Sequence, residues 1–140
     1  MATPPRVLID LNIILDVLQR REPFYPASAG ILAAAERGKI RGSIAAHTVT
    51  TLFYLIAKDQ SPGKAKTLIS EVLGFIQIAE VTQATIETAL VLPMMDFEDA
   101  VQLAAALGVQ ADYLVTRNIK DYSETRIPVL APAELMTLLE

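Results

Sequence analysis

Short apolar segments alternate with helical patterns along this chain, and this alternation limits the folds that it can adopt. The segments typical of buried strands are residues 6–9, 42–46, 75–81, 112–116 and 127–130. Between them lie helical patterns, in which Pro26, Pro62 and Pro132 occupy positions that suit a first helical turn. Strands that alternate with helices in this way indicate one α/β domain around a mostly parallel sheet.

Composition supports one compact domain over residues 1–140. Hydrophobic residues make up 52% of the chain, which excludes a disordered protein, and 140 residues can bury a core without disulfides. No apolar run is long enough to cross a membrane, and the opening MATPPR lacks the apolar core of a signal peptide. The chain has no cysteine, which excludes thiolate sites. We therefore expect a cytoplasmic protein with no membrane partner.

Polar and acidic side chains stand where the predicted strands and helices meet. Some directly follow a strand, and others begin a helix that leads back towards a strand. In open parallel sheets the carboxyl ends of the strands share one edge, and ligands bind there. The residues predicted to meet at this edge are Asp10, Thr48, Thr51, Asp96, Asp99, Thr116, Asn118 and Asp121.

Carboxylates that crowd together repel one another unless a cation lies between them. The chain has no cysteine and only one histidine, His47, so the available ligands are oxygens and favour a hard cation, Mg²⁺ or Mn²⁺. Such ions promote the hydrolysis of phosphodiesters by polarising the phosphoryl oxygen and by lowering the pKa of the attacking water. The residues therefore predict an acidic metal site at one edge of the sheet.

Two stretches of the chain resemble the PIN domain family, which includes the VapC-type toxin ribonucleases. VLIDLNIILDVL at residues 7–18 resembles the family's opening strand and its metal-binding Asp. DFEDAVQLAAALGVQADYLVTRNIKDY at residues 96–122 resembles a later acid, a buried alanine-rich helix and the turn after the fourth strand. The resemblance implies a single PIN-like domain with a five-stranded parallel sheet flanked by helices, and divalent-metal-dependent cleavage of RNA.

The resemblance also assigns roles by position. It implies that Asp10, Asp99 and Asp121 are the catalytic and metal-binding carboxylates. The supporting residues that it implies are Asn12, Thr51, Asp96, Thr116 and Asn118. The implied cofactor is Mg²⁺ or Mn²⁺ and the substrate is RNA. The implied protein partners are a second copy of the chain, in a homodimer, and a small antitoxin that occupies the acidic groove.

One position departs from the family pattern. The family usually has a Glu early in the helix after the second strand, in a T-x-x-E-L context. This chain reads HTVTTLFYLI at residues 47–56, with Thr51 at the position of that Glu, and no acid occurs between residues 43 and 58. Two interpretations stay open. Water or Thr51 fills the gap in a thinner metal site, or the chain is a weakened or inactive PIN-like module that binds RNA or protein.

The basic residues are concentrated in the first half of the chain. Residues 1–70 hold nine Lys and Arg against five Asp and Glu, and residues 71–140 hold three against eleven. This asymmetry indicates an acidic pocket beside a basic rim, unless the two halves interleave in space. The residues predicted to steer RNA towards the site are Arg20, Arg21, Lys39, Arg41 and Lys58. Each of them can equally be a solvated surface charge.

Each acid also has a purely structural interpretation. Asp10 and Asp96 can cap helices, Asp99 suits the first turn of a helix, and Asp121 suits a turn. Asp16 is predicted to lie on a helix surface, paired with the arginine four residues on, Arg20. Asp112 is excluded from the site because it lies at the opposite end of its strand from Thr116.

Two other functions fit the sequence less well. A phosphohydrolase that uses Asp10 as its nucleophile commonly needs a second carboxylate two residues on, where this chain has Asn12. A dinucleotide-binding protein is disfavoured because no G-x-G-x-x-G follows the first strand.

Overall fold

The computed structural model describes residues 3–122 and 125–140, so Met1, Ala2, Ser123 and Glu124 lie outside the described chain, although the predicted domain includes them. The strands are β1 (Arg6–Ile9), β2 (Arg41–Ala45), β3 (Gln77–Ala79), β4 (Tyr113–Val115) and β5 (Val129–Leu130). Each overlaps one of the predicted strands. The helices are α1 (Leu11–Leu18), α2 (Tyr25–Glu36), α3 (Ala46–Asp59), α4 (Pro62–Val72), α5 (Gln83–Val91), α6 (Phe97–Gly108) and α7 (Pro132–Leu139). Across the described ranges, none of these helices is long and apolar enough to cross a bilayer.

The five strands form one sheet in the order β3-β2-β1-β4-β5, and every neighbouring pair is parallel. This confirms the predicted α/β architecture, with a sheet that is wholly rather than mostly parallel. The central strand, β1, contributes Val7, Leu8 and Ile9, all fully buried because helices cover both faces of the sheet. β1 pairs with β2 on one side and with β4 on the other. The order in which the chain adds strands therefore changes direction at β1, and ligands bind at such a position in open parallel sheets.

Two layers of helices enclose the sheet. One core contains Val7 and Ile9 together with residues of α1, α2, α3, α4 and α7, and the other contains Leu8 together with residues of α6. Alternate residues of β1 thus face opposite layers, as strand geometry requires. The predicted buried helix at residues 97–107 is confirmed as α6, whose residues 100–106 are all buried. The chain leaves it through Gln110, which has a positive φ of 55°.

Asp16 is the clearest departure from the sequence prediction, which placed it on a helix surface beside Arg20. The structure buries Asp16 completely. Its Oδ2 accepts a hydrogen bond of 2.9 Å from the Ser28 hydroxyl of α2, and it lies 2.9 Å from Nε of Arg117. Arg20 instead lies over the ring of Tyr25. The prediction is wrong because α2 packs against α1 and covers the face that carries Asp16.

Candidate active site

A cavity of about 130 Å³ lies at the carboxyl edge of the sheet, beside the end of β1. The segments that line it are the turn after β1, the start of α3, the start of α6 and the turn after β4. The predicted site residues among its lining residues are Asp10, Asn12, Asp96, Asp99, Thr116, Asn118 and Asp121. Segments far apart in sequence therefore meet at the edge that parallel topology predicts.

Asp10 combines a structural and an electrostatic role. As the N-cap of α1, its Oδ1 accepts a long hydrogen bond of 3.4 Å from the backbone N–H of Asn12. Its Oδ2 accepts a shorter bond of 2.9 Å from the hydroxyl of Thr116. Burial raises the pKa of Asp10, whereas these hydrogen bonds and the positive charge of Arg117 lower it. Oδ1 is thus weakly engaged, while Oδ2 is firmly held.

Asp99 lies half-buried in the first turn of α6, among other acids. Burial, then the negative charge of Asp96 and, to a smaller extent, the charges of Asp10 and Asp121 together raise the pKa of Asp99 from 3.8 to about 6. This value includes the opposing effect of a hydrogen bond from the Tyr122 hydroxyl, which lowers the pKa. The charges of Asp96, Asp10 and Asp121 thus all act on one carboxyl group, that of Asp99, in the same cavity.

A chain of hydrogen bonds from Gln102 and Tyr122 positions the carboxylate of Asp99. The Tyr122 hydroxyl lies 3.3 Å from Oδ1 of Asp99, and Nε2 of Gln102 donates to the same hydroxyl at 2.6 Å. Burial and the charge of Asp99 raise the pKa of Tyr122, so its hydroxyl stays protonated and donates a hydrogen bond to the carboxylate. Gln102 and Tyr122 are both buried.

The remaining predicted residues occupy the open side of the cavity. Asp96 is exposed and caps α6, accepting a 2.9 Å hydrogen bond from the backbone N–H of Asp99, so its structural interpretation applies. Asp121 is exposed at the end of a 3-10 helix, Ile119–Asp121. The backbone N–H of Asn118 donates to the Thr116 hydroxyl at 3.1 Å, which links the turn after β4 to the hydroxyl that holds Asp10.

The start of α3 brings no acid to the cavity. Thr48 lines it, but the Thr48 hydroxyl donates to the backbone oxygen of Ala45 at 2.7 Å. Thr51, one turn later and half-buried, is not among the lining residues. Nε2 of His47 lies 3.1 Å from the backbone oxygen of Glu98 and so joins the starts of α3 and α6.

The oxygen donors of the cavity suit a hard cation that keeps part of its water shell, rather than one that is enclosed entirely by protein ligands. Asp10, Asp99 and Asp121 supply carboxylate oxygens, as Mg²⁺ and Mn²⁺ prefer. Within residues 3–122 and 125–140, no three His, Cys, Asp or Glu side chains form a ready-made metal cluster. Mg²⁺ commonly keeps several waters and binds through one or two carboxylates and substrate phosphates, so this donor set is compatible with it.

The basic residues predicted to steer RNA do not gather at the acidic cavity. Lys39 and Arg41 lie at the amino edge of the sheet, because β2 begins at Arg41 and runs about 13 Å to reach the carboxyl edge. A larger cleft of about 660 Å³ opens at that opposite edge, with Arg6 and Arg41 in its wall. Lys58 lies about 18 Å along α3 from the start of the helix.

Arg20 and Arg21 follow the end of α1, away from the cavity at its start. Arg20 lies over the Tyr25 ring, 5.9 Å from its centroid, and Arg21 donates to the side-chain oxygen of Gln19. Nε2 of Gln19 in turn donates to the backbone oxygen of Leu55, well along α3. The structure therefore does not bring these arginines to the acidic cavity.

Sequence reasoning did not single out three polar residues that line the cavity: Glu98, Gln102 and Tyr122. Gln102 gave a detectable signal, because it is the only polar residue between Ala100 and Leu107 of an otherwise apolar helix. A polar side chain in such a position needs a hydrogen-bond partner in the core. Tyr122 directly follows a predicted site residue, but nothing in its local sequence indicates where its hydroxyl points.

Comparison with known proteins gives a family match and a set of related folds. A family model described as PIN domain matches residues 6–120. No curated protein matches the chain. Among solved structures, a toxin–antitoxin complex from Klebsiella pneumoniae is similar, with a TM-score of 0.70 and 22% identity over 90% of this chain and 97% of that chain.

Two further structures share the fold. VapBC2 from Rickettsia felis, bound to a DNA fragment from its promoter, has a TM-score of 0.68 and 15% identity, over 90% of this chain and 98% of that chain. VapC20 from Mycobacterium tuberculosis, a toxin that cleaves the sarcin–ricin loop, has a TM-score of 0.63 and 14% identity, over 77% of this chain and 86% of that chain. At these identities the likeness shows the fold.

Proposed function

Because this chain belongs to the PIN domain family, we propose that it is a divalent-metal-dependent ribonuclease and the toxin of a toxin–antitoxin pair. The observation that carries the proposal is that Asp10, Asp99 and Asp121 line one cavity at the edge where parallel sheets bind ligands. The sarcin–ricin loop cleaving activity named for VapC20 supports RNA as the substrate. The test is RNA cleavage by the purified protein with Mn²⁺ or Mg²⁺. Cleavage that continues in excess EDTA would contradict the metal dependence.

The side chains divide the work of the proposed reaction. Asp10 and Asp99 hold the cation, and Asp121 contributes from the exposed side of the cavity. When bound, the cation polarises the phosphoryl oxygen and lowers the pKa of the attacking water. Thr116 fixes the carboxylate of Asp10 through Oδ2 and leaves Oδ1 available as a ligand.

Asn12 and Asn118 assist from the neighbouring turns. The backbone N–H of Asn12 contacts Asp10, and that of Asn118 contacts the Thr116 hydroxyl. Both residues line the cavity, and in this proposal their side-chain amides contact a phosphate oxygen of the RNA.

We place the protein in the cytoplasm, where a chain without cysteine is suited to the reducing medium, and cell fractionation tests this location.

We also propose two protein partners. The toxin–antitoxin complexes among the similar folds support a small antitoxin that covers the acidic cavity.

A homodimer is supported by exposed apolar side chains at the end of α5 and the start of α6, namely Leu90, Val91, Met95 and Phe97. We expect Val91→Lys to shift the chain towards monomer in sedimentation experiments. A wild-type chain that is monomeric at every concentration would contradict the homodimer.

A catalytically weak or inactive module that binds RNA or protein is the second candidate function. Two observations favour it: α3 brings no acid to the cavity, and no three-residue metal cluster forms among the described residues. The two functions differ in one measurement. The nuclease releases cleaved RNA when Mn²⁺ is added, whereas the module binds RNA or a partner protein and leaves the RNA intact.

Thr51→Glu tests whether α3 lacks a ligand. Thr51 lies one helical turn after Thr48, which lines the cavity, so a longer acidic side chain there can reach the same space. We expect Thr51→Glu to bind Mn²⁺ several-fold more tightly in calorimetric titrations. The matched control is Thr50→Glu, which adds the same charge at an exposed position. Equal affinities for the two variants would show that position 51 is not a ligand position.

Metal binding is expected to depend on pH through Asp99. The pKa of Asp99 is raised to about 6, and a proton on its carboxyl competes with the cation. We expect Mn²⁺ affinity to be nearly constant above pH 7 and to fall roughly tenfold per pH unit below the pKa. Titrations between pH 5 and pH 8 measure this, and Asp99→Asn should flatten the profile. A flat wild-type profile would argue against Asp99 as a ligand.

A further inference from the structure

Gln102 is a buried amide in the wall of the acidic cavity, and the structure fixes which way its amide points. The Tyr122 hydroxyl has one hydrogen, which it donates to Oδ1 of Asp99, since a carboxylate only accepts. The hydroxyl oxygen must therefore accept from Gln102, as the 2.6 Å bond from Nε2 requires. The hydrogen-bond chain runs in one direction, from Gln102 through Tyr122 to Asp99.

This direction leaves the other end of the amide without a partner. Oε1 of Gln102 is buried, and no group of the described residues donates to it. In the part of the chain that the structure describes, the other buried polar side-chain atoms without a hydrogen bond belong to Asp16, His47 and Arg117, and none of these residues lines the acidic cavity. Buried acceptors are normally satisfied by protein or by ordered water. Gln102 lines a small polar cavity, so a water molecule held in that cavity can supply the missing donor.

We propose that Gln102 is a further functional residue of this cavity, with Oε1 accepting a hydrogen bond from a water molecule that the cavity holds beside the cation. A water that donates one hydrogen to Oε1 is restricted in orientation, because its lone pairs then point away from that oxygen. Through Nε2 and Tyr122, the same side chain also positions Asp99. This inference rests on the proposed metal site and adds a residue that the carboxylate motif does not contain.

A crystal structure of the wild-type protein with Mn²⁺ tests the acceptor role directly. We expect an ordered water within about 3 Å of Oε1 of Gln102, on the cavity side. The absence of an ordered water at Oε1, or a protein donor that forms a hydrogen bond with it, would overturn the proposal. This readout does not depend on RNA cleavage, so absent cleavage by the wild-type protein would count against the proposed nuclease function and not against the water.

A double-mutant cycle separates the acceptor role from the positioning role. Tyr122→Phe removes only the hydroxyl, and Gln102→Met removes the amide while keeping a side chain of similar length. We expect each change to weaken Mn²⁺ binding roughly tenfold or more, as loss of a group that supports a ligand does. Gln102→Met should weaken binding again in the Tyr122→Phe background, because Oε1 acts independently of Tyr122. No further loss in that background would show that Gln102 acts only through Tyr122.

Two control variants exclude general effects of removing an amide or a hydroxyl group. Gln77→Met changes an exposed glutamine on β3, outside the acidic cavity, and should leave Mn²⁺ affinity unchanged. Tyr54→Phe removes the hydroxyl of an exposed tyrosine on α3 and should do the same. If Gln102→Met unfolds, which thermal unfolding detects, the water position in the wild-type crystal decides the proposal.

Discussion

The Asp10→Asn variant is expected to fold normally and to cleave RNA more slowly by a factor of roughly 10³. A divalent cation stabilises the transition state by several kcal/mol, and its binding depends on this carboxylate. Asparagine caps helices as well as aspartate does, so α1 keeps its N-cap. The substitution removes the negative charge of Asp10 while preserving the size of the side chain. Single-turnover cleavage of a labelled RNA with saturating Mn²⁺ measures the loss.

Asp112→Asn is the matched control for this experiment. Asp112 is also an aspartate next to a strand, but it is exposed at the amino edge of the sheet, where its Oδ2 accepts a 2.8 Å hydrogen bond from the backbone N–H of Arg6. Asparagine can keep that bond, and we expect wild-type cleavage from this variant. Undiminished cleavage by Asp10→Asn, from protein purified in the same way, would mean that a contaminating nuclease is being measured.

Topology made the position of the carboxylates predictable. Three consecutive apolar residues identify β1, and a parallel strand that hands over to a helix places the next side chain, Asp10, at the carboxyl edge. The same rule places Asp99, because a helix that leads to a parallel strand begins at that edge. Neither inference needs knowledge of side-chain packing. Both need only the order of the strands and helices.

The same rule, applied to the basic residues, would have excluded Arg41 and Lys39 from the acidic rim. Arg41 begins β2 and therefore lies at the amino edge, whatever the net charge of its half of the chain. The hydrogen-bond chain from Gln102 to Tyr122 is different, because it joins residues 20 positions apart and depends on side-chain rotamers. Sequence periodicity reports neighbours three or four positions away, so it does not reveal such contacts.

The ion pair of Asp16 and Arg117 joins residues 101 positions apart, and its loss is expected to destabilise the fold strongly. Asp16 is fully buried, and the Arg117 guanidinium lies 3.8 Å from the centroid of the Phe24 ring, with 22% of its side chain exposed. Nε of Arg117 and Oδ2 of Asp16 are 2.9 Å apart, but their alignment does not make a hydrogen bond, so the contact is electrostatic. The Ser28 hydroxyl supplies the hydrogen bond to the same oxygen.

Asp16→Ala should therefore lower the free energy of unfolding by about 3 kcal/mol, because it leaves Arg117 without its counter-charge and Ser28 without its acceptor. Urea unfolding measures the change, with an unaltered m-value as the sign that the unfolded states are comparable. Asp59→Ala, which removes an exposed acid at the end of α3, should change stability by less than about 0.5 kcal/mol. The double variant Asp16→Leu with Arg117→Met should recover much of the loss, since apolar residues replace buried ion pairs well. If the double variant loses as much stability as the single variants Asp16→Leu and Arg117→Met do in sum, the pair is not coupled and Asp16 acts through Ser28 alone.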